Sequence, residues 1–280
     1  GGSVQIVFET PASSKAPAGY MQSLSFGGRD HSIYVKSHLG YGLDAARSAM
    51  FDMLVQKKGG EKPIRHPCLP KGETMEYKQV SFVGDGDWHR CFKLQLKLFD
   101  NRSCPHSSCS FNGAFQPTLT QGFKGFSYMY DRTTAIGLLD GQPKQFGSQV
   151  MSQQDIATAG ERLCALDKSE AARRFSTHQD ASKSSNFCGD VAYVAALLTA
   201  LGFPPSAQLT MTNKIKDVEL VWTLGAMLAK SAELASAGSS FSPGLGWFVL
   251  AGVLLLAVYM KRQAGSGSYS SLRLDEFKNF

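Results

Sequence analysis

From Leu234 to Met260 the chain carries no charged residue, and the run Trp247-Phe-Val-Leu-Ala-Gly-Val-Leu-Leu-Leu-Ala-Val-Tyr-Met260 within it is almost wholly apolar. A stretch of that length can cross a bilayer as a helix. Trp247 and Tyr259 stand near its ends, where amphipathic rings favour the headgroup layer, and Lys261-Arg262 follows as a cytoplasmic stop signal. The alternative is a buried core helix, which rarely follows a Ser/Gly-rich spacer at a chain end. The expected order is a body over 1–235, a spacer over 236–243, a transmembrane helix over 244–260 and a cytoplasmic tail over 261–280. The body is then lumenal or extracellular.

All six cysteines, Cys68, Cys91, Cys104, Cys109, Cys164 and Cys188, precede this segment. An even number on one side of a membrane suggests disulfides in an oxidising compartment. Cys104-Pro-His-Ser-Ser-Cys109 is the one stretch that resembles a zinc site, and it lacks the second ligand pair that a structural zinc needs. Asn101-Arg-Ser is an acceptor triplet for N-glycosylation. The start, Gly1-Gly2-Ser3, has no initiator Met and runs at once into a strand-like segment, so the chain reads as a fragment cut inside a fold. Its net charge of +6 is spread without a basic cluster or interleaved aromatics, which argues against nucleic acid as a partner.

The roughly 230 residues before the spacer suffice for one α/β domain or a lobe of a larger one. Val4–Phe8 and Ser32–Ser37 read as strands joined by a Pro/Ala/Ser-rich loop. Leu43–Val55 reads as a helix with Ala46, Met50, Met53 and Leu54 on its buried side. Lys57–Asp87 is polar and Gly-rich, a surface excursion with one strand near Tyr77–Phe82, and a tie of its ends by Cys68 and Cys91 is expected. A helix is expected from Asp87 through Leu98, with Gly84-Asp-Gly-Asp87 as the turn that caps it; the turn lacks the spaced ligands of a calcium loop. Ser152-Gln-Gln-Asp155 is a capping box opening a helix through Leu166. Gly189–Leu201 is an apolar helix stopped by Gly202. Val218–Val221 reads as a strand before a helix from Trp222 through Leu228. The alternation of strands and helices gives an α/β class.

Few residues advertise chemistry by themselves. Gly1-Gly2-Ser3-Val4-Gln5 is a glycine-rich turn entering a strand, whose N–H groups, hydroxyl and amide suit a phosphate or a water, although such a turn is most often only a turn. No GxxxxGK[ST] phosphate loop and no G-x-S-x-G elbow is present. The aromatic run Phe123–Tyr130 is core material unless a ring beside a cleft stacks on a planar base.

Taken together, Gly1–Gln5, Ser37-His-Leu-Gly-Tyr-Gly-Leu-Asp-Ala-Ala-Arg47, His66-Pro-Cys68, Ser103-Cys-Pro-His-Ser-Ser-Cys-Ser-Phe-Asn-Gly113, Gly125-Phe-Ser127 and Trp222-Thr-Leu-Gly-Ala-Met-Leu228 resemble, in this order, the C-terminal part of the apyrases, or nucleoside triphosphate diphosphohydrolases. The resemblance runs from Gly1 to about Leu228. It implies the C-terminal lobe of an actin/hexokinase-like (ribonuclease H-like) two-lobed fold, with metal-bound nucleotide phosphates held between glycine-rich loops of the two lobes. It further implies that Gly1, Gly2 and Ser3 bind phosphate, and that Ser3 and Gln5 position the attacking water. Phe126 or Tyr128 stacks on the base, and Trp222 lies towards the phosphate region. The first phosphate loop, the general-base Glu and the metal-bearing Asp would lie upstream of Gly1. The cofactor would be Ca²⁺ or Mg²⁺, and the partners nucleoside di- and triphosphates and a membrane. Cys68–Cys91, Cys104–Cys109 and Cys164–Cys188 would pair. A further pair common in animal members is missing, with Gly40 at one of its positions, which leans towards the plant-like branch. A non-catalytic membrane glycoprotein on the same fold is the competing reading, and a sugar or polyphosphate kinase-like relative a third.

Overall fold

The computed structural model describes residues 1–11, 13–58, 60, 62–99, 103–119, 122–141 and 148–238. Gly1–Trp222 forms one compact unit and a second begins at Thr223. The first sheet is antiparallel in the order β1-β3-β2, with β1 Ser3–Glu9, β2 Met21–Phe26 and β3 Arg29–Leu39. Along β1 the side chains alternate: Val4, Ile6 and Phe8 enter the core, while Ser3, Gln5, Val7 and Glu9 face the other way. The strand β2 lies in the segment that reads as a loop. Only Met21 of its six residues is even half-buried, so no apolar alternation marks it; it is held by pairing with β3 across Gly27-Gly28, both with positive φ.

Helix α1, Leu43–Lys58, extends three residues past the expected end, with Ala46, Met50 and Leu54 buried and Met53 half-buried. The excursion after it carries three strands rather than one. β4 Ile64–His66 runs parallel to β6 Val80–Gly84, and β5 Thr74–Tyr77 runs antiparallel to β6. This sheet has its own small core of Phe51, Leu54, Ile64, Leu69 and Phe82. Asp87 caps the start of α2, Trp88–Leu96, accepting a 2.9 Å bond from the Arg90 N–H, and the helix ends two residues before Leu98.

The third sheet has the order β7-β9-β8, with β7 Phe123–Gly125, β8 Gln149–Ser152 and β9 Gln208–Met211. Between β7 and β8 lies α3, Tyr128–Leu139, which the sequence reading leaves without an element. The capping box at Ser152 and Asp155 is present and opens α4, which stops at Cys164 instead of Leu166. Asp167 and Glu170 form a second box at α5, Lys168–Arg174. Helix α6, Phe187–Ala200, is the centre of the body: every residue except Thr199 is buried, and α2 and α4 pack against it. Gly160 of α4 permits close approach there, since a Cβ would lie 2.1 Å from the Trp88 ring.

Three disulfides pair Cys68 with Cys91, Cys104 with Cys109, and Cys164 with Cys188. They are the pairs that the apyrase resemblance implies. Just after the loop closed by Cys104–Cys109, Asn112 and Gly113 both have positive φ, and the Ala114 N–H bonds to the Phe111 carbonyl at 3.2 Å. This is the turn that an Asn-Gly pair favours, and it drives Phe111 into the core against His38.

Only Val218–Glu219 of the last expected strand is regular, paired as β11 with β10, Lys214–Ile215. Helix α7, Trp222–Gly238, is longer than expected and includes the first three residues of the Ser/Gly spacer. Among the described residues no helix is long and apolar enough to cross a membrane. The segment 244–260, the tail 261–280 and Asn101 lie outside the described residues.

Candidate active site

A cleft of about 950 Å³ opens along the face of β1 that carries Ser3 and Gln5. Its other walls are the start of α1, the turn from β7 into α3, and the segment Gln179–Lys183. The glycine-rich start is shaped by the loop after β3. The Gly40 N–H donates to the Gly2 carbonyl at 2.7 Å, and a Cβ on Gly42 would lie 2.3 Å from the Gly1 carbonyl oxygen. Backbone therefore rests on backbone, which only glycine allows. Ser3 is half-buried and Gln5 exposed, and neither side chain is hydrogen-bonded to another described residue. Both are free to meet a ligand.

The two expected base-stacking rings behave differently. Phe126 is 41% exposed in the cleft. Tyr128 is half-buried and turned onto Tyr193, with ring centroids 5.8 Å apart, and burial pushes its phenol up to about 12. Ser127 between them has φ of +55°, in the left-handed region, and this bend separates the two rings. Trp222 also lines the cleft, and is largely exposed.

Behind the wall sits a charge network that no motif announces. Asp190, on the otherwise apolar α6, is fully buried and takes a fork from Arg47: Nε to Oδ1 at 2.7 Å and Nη2 to Oδ2 at 2.6 Å. Arg132 of α3 approaches the same carboxylate at 3.2 Å, stacks over Phe187 and bonds to Asp180 at 2.8 Å. Arg47 reaches Asp44 at 2.6 Å. Burial pushes the Asp190 carboxyl up, opposed by the two guanidiniums; Asp180, despite burial, is held down by Arg132 and Lys183. His178 ties the Gln179–Lys183 segment to α3. Its Nδ1 accepts from the Asp180 N–H at 2.9 Å, and its Nε2 lies 2.8 Å from Thr134 Oγ1.

Among the described residues no three His, Cys, Asp or Glu side chains lie close enough to hold a metal ion. Asp44, at the glycine-rich end of the cleft, is already engaged by Arg47. The described residues therefore do not by themselves form a cage for the cation that the resemblance calls for.

The cleft, its glycine-rich floor and the three disulfides define a class: residues 1–239 match the GDA1/CD39 (nucleoside phosphatase) family, and the chain belongs to it. Among its relatives is the mouse ectonucleoside triphosphate diphosphohydrolase 1, 29% identical, with the match covering 92% of this chain and 54% of the relative. The guanosine-diphosphatase of Saccharomyces cerevisiae is 32% identical over 81% of this chain and 49% of its own length. A solved structure of nucleoside triphosphate hydrolases from Neospora caninum has the same fold, with a TM-score of 0.54 at 14% identity, covering 82% of this chain and 55% of that one. The chain thus spans about half the length of the relatives it matches.

Proposed function

We propose that the full-length protein hydrolyses nucleoside tri- or diphosphates with a divalent cation, Ca²⁺ or Mg²⁺, releasing orthophosphate on the lumenal or extracellular side of a membrane. The anchor is the segment 244–260. The reading is carried by one observation: unengaged Ser3 and Gln5 share a cleft with the exposed ring of Phe126. The N–H groups of Gly1–Ser3 offer donors to phosphate oxygens, the Ser3 hydroxyl and Gln5 amide orient a water, and Phe126 takes the planar base. No described residue is assigned to the cation or to proton abstraction; the apyrase resemblance assigns the general base to the portion of the relatives that this chain does not span. Full-length protein supplied with Ca²⁺ or Mg²⁺ releases orthophosphate from nucleotides in a colorimetric assay. Release from none of them would sink the proposal.

A further inference from the structure

Away from the cleft, the last turns of α1 and one face of α2 enclose a second groove of about 540 Å³. Its floor is apolar: Leu54 is buried, and Met53 and Leu94 are half-buried. Its rim carries Lys57, Arg90, Lys93 and Lys97, all exposed, and there is no carboxylate among its described lining residues. Arg90 is held by Asp85 at 2.9 Å, whereas the side chains of Lys57, Lys93 and Lys97 have no partner among the described residues. Along α2 and its cap the three cations follow at i, i+3 and i+7, so they share one face over about 10 Å. Helix dipoles favour cations near the ends of α1 and α2, which accounts for Lys57 and Lys97 but not for the apolar floor left open between them. The walls are fixed from behind. The Cys68–Cys91 bridge ties α2 to the residue after Pro67, which also lines the groove, and the Asp87 N–H bonds to the Pro67 carbonyl at 2.9 Å.

We propose that this groove docks an acidic amphipathic peptide segment of a protein partner, its apolar side chains on Met53, Leu54 and Leu94 and its carboxylates against Lys57, Lys93 and Lys97. Shape and chemistry together select a peptide over other anions. Cations spread along two turns of helix are too far apart for a single phosphate to meet them all. A sulfated glycan or a nucleic-acid backbone brings charge but nothing to cover the apolar floor, and the lining has no aromatic ring on which a base could stack. A membrane surface is broad, whereas this groove is recessed between two helices. A segment with acidic rows beside an apolar row matches both features, as amphipathic helices do in hydrophobic grooves. The lysines steer its approach, and the floor holds it. Lys57 stands about 15 Å further along α1 than Arg47, which lines the cleft, so a segment seated here leaves the cleft open.

The test selects a displayed library of random peptides on the full-length protein and measures the enriched peptides by fluorescence anisotropy. Sequences that set Asp or Glu beside Leu, Ile or Phe at helical spacing are expected. Lys57→Gln, Lys93→Gln and Lys97→Gln together should weaken their binding by about tenfold or more, as should raised salt. The urea midpoint of that variant should not fall, since none of the three side chains is engaged in the fold. Met53→Gln, which spoils the floor and keeps the charge, should weaken binding by about fivefold. Enriched peptides without acidic residues, or binding indifferent to the three lysine changes, overturn the proposal. Phosphatidylcholine vesicles with and without phosphatidylserine, and a heparin fragment, are measured beside the peptides. Binding of either through the same lysines, with no acidic peptide enriched, assigns the groove to a membrane or a glycan and likewise overturns it.

Discussion

Around α6 the chain is held by burial, whereas the cleft wall is held by charge. The helix α6 presents Val191, Ala192, Val194, Ala195, Leu197 and Leu198 to its neighbours, and Cys188 near its start is bonded to Cys164 at the end of α4. In the wall, the start of α1, α3 and the Gln179–Lys183 segment meet through Arg47, Arg132, Asp44 and Asp180. One residue belongs to both regions. Asp190 stands in the apolar helix and supplies the carboxylate on which the two arginines converge. Apolar packing is indifferent to small shifts in direction, while forked charge pairs fix orientation. The body needs the first property and a cleft that must position a ligand needs the second.

The largest expected effect comes from breaking the shared point. Asp190→Ala leaves two guanidiniums without their carboxylate and should destabilise the fold by about 3–5 kcal/mol in urea unfolding. A loss under about 1 kcal/mol would mean that the network adds little to the body. Next, replacing Cys164 and Cys188 together by Ser opens a bridge with a sequence separation of 24 and should cost about 2–4 kcal/mol. That loss should fall on the α6 region and leave the cleft contacts in place, as amide exchange would report.

The third stability effect is one of pH. His38, stacked at 4.1 Å on Phe111, and His66 are buried, and burial lowers both imidazoles from 6.5 to about 4. Folding keeps them neutral, so below the ordinary value the unfolded chain binds protons that the folded chain does not. Stability is therefore level above about pH 7.5 and falls as the pH drops through 6.5 towards 4, by up to about 3 kcal/mol for each histidine. His38→Phe, which keeps the stack, should flatten part of this slope. An unchanged slope would assign the pH dependence to other groups.

Legibility follows the same division. The box at Ser152, the cap at Asp87, the stop at Gly202 and the alternation of β1 are local signals, and each could be read from a few adjacent residues. The strand β2 could not, because it buries nothing that would set a period, and α3 opens on aromatics that read equally well as core. A tie between Cys68 and Cys91 was legible from their place at the ends of the polar excursion, whereas the other two disulfide pairs came through family resemblance. Of the cleft, Ser3, Gln5 and Phe126 were legible from motifs, and the choice of Phe126 over Tyr128 as the exposed ring required the bend at Ser127. The charge network was not legible: Arg47 and Asp190 are 143 residues apart, and neither belongs to a short pattern with known chemistry.

The most direct test of the cleft is to change Ser3 and Gln5 singly to Ala in the full-length protein and measure phosphate release beside the urea midpoint. Neither side chain is engaged in the fold, so the midpoint should hold within about 0.5 kcal/mol. Turnover should fall by roughly a hundredfold for each. Unchanged turnover in both variants, at unchanged stability, would contradict the assignment of this face of β1 to the reaction.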